Sequence, residues 1–155
     1  MQTSKFRDII CSILFNIVQK WGNMMEILTQ KINNNISQKS NNIDRCLTKI
    51  LLSLEIPTRN MGYFYSRECA KIICLNPIAR FQMTEMVFKE VAASYNTSVS
   101  RIERSIRHLL SSSVIKKNLH MFNSILNVPV SFNLVHPSVC EFLCLLAECV
   151  NFIQS

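Results

Sequence analysis

Glycine and proline are scarce in this 155-residue chain, at 2 and 4 respectively, so the turn punctuation that a many-stranded β fold requires is missing. Cysteine is not scarce, at 7, but the number is odd and no C-x-x-C pair occurs. A disulfide framework is therefore not expected, and a reducing cytoplasm is the natural compartment. No apolar run reaches the roughly 20 residues of a membrane span. The N-terminal apolar stretch is interrupted by Asn16, Gln19 and Lys20 and no small-residue cleavage site follows it, so no cleaved signal is expected either. Gly-rich phosphate loops, paired carboxylates in a common context and Cys/His nucleophile arrangements are also lacking, which argues against an enzyme and against a cofactor.

What is present points to helices. Hydrophobic residues make up 48% of the chain, enough for one domain with a sizeable core and an appendage. The periodicity predicts an all-α fold: a compact helical domain containing a helix-turn-helix, preceded by a separate N-terminal amphipathic helix. Seventeen Lys+Arg against 10 Asp+Glu give a formal net charge of +7. With a pI near 9.2, the balance favours an anionic partner such as nucleic acid.

Residues 1–32 form the expected N-terminal helix. Within it Ile10, Leu14, Ile17, Trp21, Met24 and Leu28 alternate in steps of four and three, the seam spacing of a coiled coil. Phe6, Ile9 and Ile13 widen the stripe. Three uses stay open: a homodimer through residues 6–32, packing on the chain's own domain, or association with a membrane surface. Residues 33–42, NNNISQKSNN, read as a polar linker. From 43 to 155 the periodicity of a folded domain resumes.

In that domain Ile43, Leu47, Ile50, Leu51 and Leu54 make a stripe that stops before Pro57. A second helix is expected from near Gly62 to Asn76-Pro77, and a third over 84–95 with Thr84 as its cap. Tyr95-Asn96-Thr97-Ser98 has the length of a helix-turn-helix turn, with Ala92 and Ala93 small enough for close approach. The next helix is the informative one. Because successive residues turn by about 100°, Val99, Ile102, Ile106, Leu109 and Leu110 share an apolar stripe. Centred roughly opposite lie Ser100, Arg101, Arg104, His108 and Ser111, with Arg107 on the flank. Long guanidinium forks on an exposed face suit phosphates and guanine edges, so this helix is expected to read double-stranded DNA.

Beyond it, Lys116 and Lys117 form a basic pair suited to phosphates, a short helix follows, VPVSFNL is expected as an extended loop, and a last helix over about 138–152 completes the core. His136, Cys140 and Cys144 are spaced by four, but in so apolar a stretch they are expected to serve the core and hold no metal. His108 suits a phosphate hydrogen bond better than a pH switch.

The residues GYFYSRECA at 62–70, TEMVFKEVAASYNTSVSRIERSIRHLL at 84–110 and HPSVCEFLCLLAE at 136–148 carry a family resemblance. The stretch from Ile43 onward resembles the C-terminal effector domain of the master response regulator of sporulation initiation in endospore-forming Firmicutes. The resemblance implies a helical domain that binds TGTCGAA-like promoter elements and regulates transcription, with RNA polymerase as a second candidate partner. Base contacts are implied for Arg101, Glu103 and Arg104, and backbone contacts for Arg107 and His108. Thr97, Ser100, Lys116 and Lys117 join them as expected backbone contacts on chemical grounds. The family's regulator normally carries a phosphoacceptor receiver, which the first 42 residues are too few to form, so control by aspartyl phosphorylation within this chain is not expected. The rival reading is an interaction module that antagonises a full-length regulator without binding DNA.

Overall fold

The helical periodicity of the sequence is realised as a series of helices. The computed structural model describes residues 2–127 and 137–155, with side chains from residue 10 onward except those of residues 113, 114 and 116. Among the described residues there is no strand. The chain divides into two compact units, Met1–Lys39 and Ser40–Ser155.

Helix α1 runs Gln2–Ser53, and its early part constitutes the first unit. The stretch 33–42, expected as a linker, is helical throughout. No Gly or Pro interrupts it, and each Asn or Ser costs less than about 0.7 kcal/mol against Ala, too little to end a helix already formed on both sides. The border between the units nevertheless falls inside this polar stretch.

The second unit begins with the last turns of α1, which bury Ile43, Leu47, Ile50, Leu51 and Leu54. The helix stops on Glu55, held in the left-handed region at φ 56°. There the Ile56 N–H donates to the Leu51 carbonyl at 3.3 Å and the Glu55 N–H to Leu52 at 2.9 Å, a Schellman closure just ahead of Pro57. Asn118 caps the same end, its side-chain amide donating to the Leu54 carbonyl at 3.3 Å.

Helix α2, Met61–Leu75, is the central element: it packs against the helix Val99–Leu110 on one side and the C-terminal helix Val139–Gln154 on another. Its start is fixed by Asn60, whose side chain accepts the Gly62 N–H at 2.9 Å. Cys69 on its buried face has its thiol pushed up to about 12 by burial, so it stays protonated and behaves as a small hydrophobe. A 3₁₀ turn, Pro77–Phe81, and a wide π-type turn, Met83–Phe88, lead into α3, Lys89–Ser94. Thr84 lies inside that wide turn. The residue ahead of the turn is Gln82, which makes no side-chain cap bond.

Helix α4 is Val99–Leu110; the short helix expected after the basic pair is α6, Met121–Leu126, and a further short helix, α5, Ser113–Asn118, precedes it and carries that pair. The expected extended loop VPVSFNL lies outside the described residues. Helix α7, Val139–Gln154, opens with a capping box: the Ser138 N–H donates to Glu141 at 2.7 Å and the Glu141 N–H to the Ser138 hydroxyl at 3.2 Å. Two ion pairs tie elements together, Lys71 to Asp44 at 2.6 Å and Arg80 to Glu148 at 2.8 Å.

At Gly62 helices α2 and α4 approach closely. A Cβ there would lie 2.8 Å from the Ser105 carbonyl oxygen and 3.0 Å from a Leu109 methyl. Backbone cannot give way as a side-chain end can, so Gly62→Ala is expected to destabilise the domain by about 1–3 kcal/mol, as overpacking does. Urea unfolding of the variant against wild type measures it; an unchanged midpoint would show that α2 and α4 can separate freely.

Candidate nucleic-acid interface

Helices α3 and α4 are joined by Tyr95-Asn96-Thr97-Ser98, the turn length expected from the sequence. Asn96 takes the left-handed conformation, φ 47°, which Asn tolerates better than most residues. The Thr97 N–H then donates back to the Ala92 carbonyl at 2.9 Å and the Asn96 N–H to Ala93 at 3.3 Å, closing α3. Ala92 is buried in the angle between the helices whereas Ala93 is exposed, so only the first serves close packing. Tyr95 is anchored edge-on against Tyr65 of α2, ring centroids 5.3 Å apart.

Ser98 opens α4: its hydroxyl accepts the Arg101 N–H at 3.3 Å. Ile102, Ile106, Leu109 and Leu110 are buried, with Val99 half-buried, which is the apolar stripe the sequence predicts. On the other side Ser100, Arg101, Arg104, Arg107 and His108 are exposed. Ser98, Ser100, Arg101, Glu103, Arg104 and Arg107 line one shallow open depression. Among the described residues none of these arginines is in an ion pair. Two guanidinium groups in the amino-terminal half of the helix, those of Arg101 and Arg104, add to the positive end of its dipole and attract anions, and Arg107 extends the cationic face into the last turn.

Glu103 sits at the edge of this face. It is half-buried, and it lies near enough to α7 to help raise the Cys140 thiol, behind burial and Cys144. Thr97 is half-buried in the turn, and Lys117 is exposed on α5. The side chain of Lys116 lies outside the described ones, as does His136. Cys140 is exposed, Cys144 partly covered and Cys149 buried. Among the described residues no three His, Cys, Asp or Glu side chains converge on one point.

His108 faces a different groove, shared with Glu55, Pro57, Asn60 and Ser112. The loop after α1 therefore lies beside the carboxyl-terminal half of α4, and Arg59 is exposed on it. Sequence reasoning missed this cation, because only the packing of α2 on α4 brings residues 57–60 next to His108.

One comparison bears on this surface. The family described as sporulation initiation factor Spo0A C terminal matches residues 47–150, a span that starts in α1, ends in α7 and includes all of α4.

The Ser98 cap is expected to set the order of the first turn of α4. Ser98→Ala should lower stability by about 1 kcal/mol and speed hydrogen exchange at the Arg101 amide, as followed by NMR.

Proposed function

The chain belongs to this Spo0A C-terminal family of DNA-binding effector domains, which act in transcription regulation of sporulation, and from that premise we propose that α4 is its recognition helix for TGTCGAA-like promoter elements. Arg101 and Arg104 read guanine through paired bonds to O6 and N7, and Glu103 accepts from a cytosine amino group. Thr97, Ser100, Arg107, His108, Lys116 and Lys117 hold the phosphates on either side, joined by Arg59 beyond His108. The observation that carries this is the unpaired arginine face on the second helix of a helix-turn-helix. A helix with that face enters the major groove while α3 crosses the backbone. RNA polymerase is the partner through which such binding alters transcription, and the cytoplasm the place where it happens.

Gel shifts on a TGTCGAA duplex and a scrambled one, at fixed salt, test the assignment. Removing Arg101 or Arg104 should cost roughly 1–3 kcal/mol on the cognate duplex and relax the preference for it. An Arg101→Ala protein that binds both duplexes as wild type does would overturn the assignment and leave the antagonist module in its place.

Phosphate contacts have a different signature. Lys117→Ala should weaken cognate and scrambled binding alike and reduce the slope of log K against log salt by about 1. A salt titration of both duplexes separates this outcome from a loss of base reading.

A further inference from the structure

The first unit carries a face that DNA binding leaves unused. Along α1, Ile10, Leu14, Ile17, Trp21, Met24 and Leu28 are each between 42% and 60% exposed. Ile13 and Ile27 extend this seam on one flank, Val18 and Met25 on the other, and all four are exposed. We propose that this face binds a second copy of the chain, the two α1 helices pairing along the seam from Ile10 to Leu28.

Four features favour a second copy. Steps of four and three repeat every 3.5 residues, so the seam winds slowly around α1 and stays in contact with a partner that winds with it. Another helix does this, and a flat surface does not. The spacing is also symmetric about Gln19, with Ile10 matching Leu28, Leu14 matching Met24 and Ile17 matching Trp21. A copy related by a two-fold axis therefore sets apolar on apolar, as an isologous contact requires.

Charge points the same way. Between residues 10 and 39 the ionised side chains are Lys20, Lys31 and Lys39 with Glu26, so two copies meet with little repulsion. The polar face is largely Asn and Gln, including Asn16, Gln19, Asn23 and Gln30. Helices that lie on anionic membranes carry Lys and Arg on that face. Area suffices as well. At roughly 60–120 Å² of apolar surface per large side chain, the seam and its flanks offer on the order of 600–1,200 Å² on each helix, a range that brackets the about 800 Å² per partner of a standard interface.

Sedimentation equilibrium of the full chain at micromolar concentration tests this, and the expected mass is twice that of the chain. Leu14→Glu with Trp21→Glu should give a monomer whose thermal unfolding and single-site gel shift match wild type, because neither residue belongs to the effector core. The control Gln19→Glu, on the polar face, should remain a dimer. On DNA carrying two sites, the double variant should lose roughly 100-fold in affinity, the advantage that linking two binding modules confers. A wild-type monomer sinks the proposal, as does a double variant that still dimerises. Sedimentation of a wild-type monomer with phosphatidylglycerol vesicles would assign the face to lipid instead. Loss of single-site binding by the wild type with the dimer mass intact would count against the DNA assignment alone.

Discussion

Helix α4, the proposed recognition helix, is held by a contact of backbone on backbone at Gly62. Its missing side chain lets α2 come so close to α4 that a single added carbon would fall 2.8 Å from the Ser105 carbonyl. Glycine at this helix position does not serve a turn; it supplies space, and the nearest atom it faces is a backbone oxygen that cannot swing aside. Asn60 fixes the same residue from the other side by accepting its N–H. Helix α2 is in turn packed on α7, so α4 rests on an element that is itself gripped. Reading a base edge needs side chains held to within about 0.5 Å. A helix seated on its neighbour's backbone meets that need better than one seated on mobile side chains.

The charge on α4 depends on how the acids elsewhere are used. Asp44 pairs with Lys71, Glu148 with Arg80, Glu68 with Arg67 and Glu85 with Lys89. Glu141 is held in the α7 capping box, where the Ser138 backbone and hydroxyl keep its carboxyl below the usual range. Each of these acids is tied to the scaffold at some distance in sequence from α4. Surface pairs of this kind add little to stability. With these acids engaged elsewhere, Arg101, Arg104 and Arg107 stay without an ion pair among the described residues, and Glu103 is the one acid lining their depression.

Local signals in the sequence proved legible and distant ones did not. The buried stripe of α4, the stop before Pro57 and the break at Asn76-Pro77 all follow from periodicity and from proline's missing N–H, which act within a few residues. The arginine face followed from the same periodicity. What could not be read depends on partners far along the chain. Gly62 looks like an ordinary helix start until Ser105 is beside it, and the loop that carries Arg59 comes beside His108 only through the packing of α2 on α4. The helical course of 33–42 was missed for a different reason: its Asn and Ser are poor helix formers singly, but no residue there forbids a helix. The left-handed Glu55 was equally hidden, because Glu is not among the residues that favour that conformation and the closing hydrogen bonds come from the backbone.

One helix serves both units. The residues Leu47 and Leu51, buried in the effector core, and the seam from Ile10 to Leu28 belong to the same α1. If that seam joins two copies, each bound domain raises the local concentration of a second one at a neighbouring site. Occupancy of paired sites then rises more steeply than protein concentration at low levels, because the competent species is the dimer and its population grows as the square of the monomer. Single sites would not show this steepness. A regulator built in this way responds to its own abundance without any chemical change to the DNA-binding face. The seam also needs little affinity, since a weak dimer in solution becomes a strong one when both domains are held on one duplex.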